Sequence, residues 1–100
     1  MKIDELIFNE KNIEHIARHN VLPEEVKEIF EGKSLFLAAK LGRVMVIGKT
    51  QHGRFLSVII EKVEGNRYFV VTARDADRKE RKMYKEELGG EEKSYEKINN

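Results

Sequence analysis

Between Ser34 and Thr72 four apolar, β-branched segments follow one another with only short polar breaks, and this succession constrains the fold more than any other feature. The segments run from Ser34 to Lys40, Arg43 to Lys49, Arg54 to Glu61 and Arg67 to Thr72, broken at Leu41-Gly42, Gln51-His52-Gly53 and Glu64-Gly65-Asn66. Connections this short join strands as hairpins, so an antiparallel β-meander is expected. Val58-Ile59-Ile60 and Tyr68-Phe69-Val70-Val71 are continuous rather than alternating, which predicts central strands with both faces at least partly covered, one by the helices and the other by a partner chain.

Helical patterns flank the meander. Ile3 to Phe8 reads as a short first strand; from Asn9, a suitable N-cap, Ile13, Ile16 and Ala17 take a helical spacing that is expected to end near Asn20. Pro23 suits the first turn of a second helix, whose Val26, Ile29 and Phe30 form an apolar stripe that stops at Gly32. Asp77 followed by Glu80 is a capping-box spacing, which places a third helix from Arg78 to Leu88, ended by Gly89-Gly90. The expected architecture is therefore α+β: a meander sheet with two N-terminal helices and one C-terminal helix.

One hundred residues suit a single core, here assigned to residues 1–90, followed by a polar tail over 91–100. The absence of cysteine removes disulfides, thiolate nucleophiles and Cys-ligated zinc. No apolar run reaches the roughly 20 residues that a membrane-spanning helix needs. The first residues, Met1-Lys2-Ile3-Asp4-Glu5, enter charge directly without a leader-like apolar stretch, so a cytoplasmic location is expected. A net charge of +1 does not mark a nucleic-acid binder, and the placement of the charges carries the information instead.

Three groups of residues can carry chemistry. Asn12, His15 and His19 share a stripe of the first helix beside its apolar face, where histidines can pack at the core border, bind metal as a pair, or exchange protons. The zincin pattern is not completed, because Ile16 stands where it requires glutamate. Arg43, Lys49, Arg54, Lys62, Arg67 and Arg74 sit at strand ends, either as solvated edge protectors or as a phosphate site. In a meander Lys49, Arg54 and Arg74 fall at one end of the sheet, beside the start of the third helix. On that helix Arg78, Arg81, Lys82 and Lys85 form a basic ridge, and Tyr84 stands one turn beyond Arg81. No Walker loop, GxGxxG or GxSxG motif is present.

Two segments resemble a known family. FNEKNIEHIARHNVLPEEVKEIF, Phe8 to Phe30, is similar to the aromatic-led Asn/His opening of the BrnT-type toxins, and VTARDADRKERKMYKE, Val71 to Glu86, to their closing Ala-Arg/Glu-Arg/Tyr signature. Gly53 to Ile60, GRFLSVII, matches the Gly-Arg-x-Leu strand between them. The matching positions are Asn12, His15, His19, Arg54, Ala73, Arg74, Ala76, Glu80, Arg81 and Tyr84; Phe8, Asn9 and Asn20 replace the family's tryptophan, aspartate and glycine. The resemblance implies a fold related to the RelE toxins and metal-independent, cofactor-free RNA cleavage, held in check by a ribbon-helix-helix antitoxin. Under it, Arg54, Arg74, Arg81, Tyr84 and His19 are the expected catalytic residues, and Arg43, Lys49 and Arg78 the expected RNA contacts. The alternative is a non-catalytic module that pairs with a DNA-binding antitoxin.

Overall fold

The computed structural model describes residues 1–89; Gly90 and the tail assigned to 91–100 lie outside them. The elements in chain order are β1 (Glu5–Ile7), α1 (Glu10–Ala17), α2 (Pro23–Glu31), β2 (Ser34–Ala38), β3 (Val44–Lys49), β4 (Phe55–Glu64), β5 (Arg67–Asp75) and α3 (Arg78–Leu88). The sheet order is β1-β5-β4-β3-β2. Strands β2 to β5 form the expected meander, with β4 and β5 inside the sheet.

The sheet is mixed rather than purely antiparallel, because β1 adds to it in parallel, pairing Glu5 with Arg67 and Ile7 with Phe69. A strand that precedes two helices can return along β5 in that direction, and no hairpin dictates otherwise. The first helix ends at Ala17, earlier than its apolar spacing suggests, and a turn carries the chain to Asn20 in a left-handed conformation at φ 59°. β2 closes at Ala38, ahead of a short 3-10 turn at Lys40–Gly42. The β4–β5 hairpin instead extends to Glu64, with exposed charged residues and a turn at Gly65. A bulge between Ile59 and Ile60 leaves Val71 without a register partner, which breaks the strict alternation there.

One face of the sheet packs on α1 and α2. Val46, Leu56, Val58, Ile60, Val70 and Ala73 meet Ile16, Val21, Val26 and Ile29, all without solvent exposure. Gly48 is needed on this face, since a Cβ there would stand 2.8 Å from the Cβ of Ile29. Asn12 is not a border residue: it is buried, its backbone N–H donates to Asn9 Oδ1 and its Nδ2 donates to the Val70 carbonyl. It ties α1 to β5. The opposite face carries α3 over one end only, through Tyr84 against Phe55 and Glu80 against Ser57.

Candidate functional site

The cations meet at the turn between β5 and α3. Asp77 caps α3 by accepting from the Glu80 N–H at 2.8 Å, and Glu80 reciprocates by accepting from the Asp77 N–H at 2.9 Å. This box fixes the first turn of the helix and aims the Glu80 carboxylate back at the sheet. Arg54 enters from the neighbouring hairpin. Its position is set by a tight turn in which the Arg54 N–H donates to Thr50 Oγ1 and Gly53 adopts φ +90°, a conformation glycine takes without strain.

All three signature arginines touch this turn. Arg54 donates through Nε to Asp75 at 2.7 Å, Arg74 through Nη1 to the Asp75 carbonyl at 3.0 Å, and Arg81 through Nη1 to the Ala76 carbonyl at 3.0 Å. They do not, however, enclose an open anionic pocket. Arg54 turns toward α1 and α2, donating to the carbonyls of Asn20 and His19 and to the Glu25 carboxylate. Arg74 turns to the α3 face and grips Glu80 with two bonds of 2.8 and 2.9 Å. The carboxylates of Asp75, Glu25 and Glu80 thus supply the acceptors that a phosphate was expected to supply. Alternation explains the parting: Arg74 pairs with Ser57 in register, whereas Arg54 is one residue out of phase with Phe55 and Ser57.

Their electrostatics follow from this pairing. The Arg74 hydrogen bonds hold the Glu80 carboxyl below its usual range despite its burial. Arg54 does the same for Asp75, with a smaller contribution from the charge of Arg81. Arg54 and Arg74 are themselves raised, chiefly by hydrogen bonds to Asp75 and Glu80 respectively.

The other expected residues divide. His19 is exposed in the turn after α1, its ring edge-on to His15 with centroids 5.8 Å apart, and the structure does not bring it to α3. Arg43 lies at the other end of β3. It precedes β3 whereas Lys49 ends it, a strand length of roughly 20 Å apart, and it pairs with Glu61 at 3.1 Å. Lys49 does reach the α3 face: its ammonium lies 5.3 Å from the centre of the Phe55 ring. Arg78 is exposed at the start of α3. Among the described residues, Lys49, Arg78, Arg81 and Lys85 have no carboxylate within ion-pair distance.

Phe55 is a site residue that the sequence motifs did not single out, and Lys85, legible only as part of the basic ridge of α3, joins it. Lys85 lies 5.9 Å from the Phe55 centroid, and Tyr84 packs edge-on to that ring at 5.2 Å while its hydroxyl donates to the Lys33 carbonyl. The signal was present in the hairpin: the short turn between Lys49 and Arg54 forces Phe55 opposite Lys49, as the register shows. The result is an exposed group of cations around two aromatic rings at one end of the sheet.

Among the described residues no group of three or more His, Cys, Asp or Glu is placed to hold a metal, so the His15/His19 pair lacks a third ligand. No helix among them is long and apolar enough to cross a membrane. No protein-family model matches the chain, and no curated protein matches it.

Proposed function

We propose that the chain is the toxin of a type II toxin-antitoxin pair, a BrnT-like member of the RelE-related fold that cleaves RNA in the cytoplasm without a metal. The observation that carries this reading is the pair of lysines lacking carboxylate partners among the described residues, Lys49 and Lys85, directed at Phe55 beside Tyr84, on the face of the sheet covered by the helix that also carries Arg81. In this chemistry the 2′-hydroxyl of the RNA gives its proton to solvent water as its oxygen attacks the adjacent phosphorus, and the bond to the 5′-oxygen breaks. The products are a 2′,3′-cyclic phosphate and a 5′-hydroxyl. Arg81 would face the charge that grows on the phosphate oxygens, an interaction of the kind that usually dominates such catalysis. Tyr84 would give a proton to the departing 5′-oxygen, and Lys49, Lys85 and Arg78 would hold flanking phosphates. Arg74, half exposed, is held in place by Glu80, which offsets its charge. Arg54 and His19 have no direct part: Arg54 staples β4 to the α1–α2 turn.

A second reading rests on the same geometry. Because Arg54 and Arg74 are already neutralised by carboxylates, the fold also suits a non-catalytic module that pairs with a ribbon-helix-helix antitoxin. One assay separates the two. Incubated with RNA in excess chelator, the purified chain is expected to yield fragments ending in 2′,3′-cyclic phosphate and 5′-hydroxyl. Intact RNA, together with stable pairing to an antitoxin, would leave the binding module, and cleavage only on addition of a divalent metal would refute the mechanism.

A further inference from the structure

Phe55 stands out because two ammonium groups from different elements are directed at one half-buried ring. Lys49 comes from the end of β3 and Lys85 from α3, at 5.3 and 5.9 Å from the ring centre. A single cation over an aromatic face is an ordinary packing device. Two like charges near one ring repel each other, and among the described residues no carboxylate pairs with either. An arrangement of this kind is relieved by anions beside the ring. Both lysines have flexible stems and can swing from the ring to such anions without moving the backbone.

We propose that Phe55 is a stacking platform for one unpaired base of the RNA, with the phosphates on either side of that base held by Lys49 and Lys85. This deepens the RNA reading above and rests on it; the new element is the preference for a single strand. A base inside a duplex has both faces covered by its neighbours and cannot lie on a protein ring. An unpaired base offers its face to any aromatic side chain, largely irrespective of its identity. Tyr84, edge-on to Phe55, holds the ring in orientation, and its own hydroxyl donates to the Lys33 carbonyl ahead of β2. The ring also stands at the first residue of β4, at the exposed end of the sheet, so that a strand of RNA can pass without entering the core.

The test uses the full chain and an oligouridylate with 2′-O-methyl riboses, which cannot be cleaved by attack of its own 2′-oxygen, in single-stranded form and annealed to its complement. Wild type is expected to bind the single strand at least tenfold more tightly than the duplex. Phe55→Leu should weaken single-strand binding by about 10-fold, and Phe55→Tyr should restore it. Replacing Lys49 and Lys85 together by alanine should flatten the salt dependence, lowering the slope of log affinity against log salt by about 1.4. Equal binding of Phe55→Leu and wild type, or equal affinity for duplex and single strand, overturns the platform and leaves the RNA reading standing. Failure of wild type to bind either form overturns both. If Phe55→Leu does not fold, the lysine pair decides: an unchanged slope overturns the proposal, and a flattened one supports it.

Discussion

Replacing Arg81 by alanine is expected to lower the rate of RNA cleavage by roughly 10²- to 10³-fold while the protein stays folded. Among the described residues Arg81 is the signature arginine with no carboxylate within ion-pair distance; its Nη1 donates to the Ala76 carbonyl. The remaining guanidinium donors are free to meet a phosphate in the bidentate manner that arginine favours. Loss of one hydrogen bond on an exposed residue costs about 1 kcal/mol or less, so the melting temperature should move by only a few degrees. Tyr84→Phe should show the same separation, since the ring contact with Phe55 persists and only the hydroxyl is lost. Cleavage measured under single-turnover conditions, beside thermal unfolding of the same samples, checks both. A variant that cleaves at the wild-type rate would remove Arg81 from the chemistry.

Glu80→Ala should have the largest effect on stability, about 2 to 3 kcal/mol, or a fall in melting temperature of roughly 10 °C or more. Four bonds depend on this buried carboxylate: the capping contact from the Asp77 N–H, the two from Arg74 and a longer one from the Ser57 hydroxyl. Removing it leaves Arg74 unpaired against the sheet and the first turn of α3 half capped. Glu80→Gln keeps most of the shape and should cost less. The pH dependence follows from the same pair. A carboxyl whose folded-state pKa lies below its unfolded value binds fewer protons when folded, so its stabilisation is complete above the ordinary carboxylate range. It is lost as pH falls through the depressed folded value. Glu80 and Asp75 both belong to this class, so stability should decline on acidification below about pH 4.5. Denaturant unfolding of wild type and Glu80→Gln across that range should show a shallower decline in the variant, and parallel curves would show that Glu80 is not a source of it.

Much of the architecture was legible because each step had a local cause. The short breaks at Leu41-Gly42, Gln51-His52-Gly53 and Glu64-Gly65-Asn66 dictate hairpins, and Asp77 with Glu80 dictates the start of α3. β1 was legible as a strand but not in its partner, because parallel pairing with β5 depends on residues about sixty positions away and no turn encodes it. At the site, strand order placed Lys49, Arg54 and Arg74 at one end of the sheet, but the end of a strand does not tell which way its side chain points. Alternation sends Arg54 toward Glu25, which was unremarkable in the sequence, and Arg74 toward Glu80, which was legible there only as a helix cap. Phe55 was hidden for a related reason: as one apolar residue in GRFLSVII it reads as core, and its exposure follows from α3 covering only part of that face.

The claim on which the account turns is that RNA is handled on the α3 face at the end of the sheet, and not beside α1 and α2. Backbone amide shifts recorded while the non-cleavable single strand is added test it most directly. The account predicts perturbations concentrated at Lys49, Phe55, Arg81, Tyr84 and Lys85. Shifts centred instead on His15, His19 and Asn20, with these five unmoved, would contradict it.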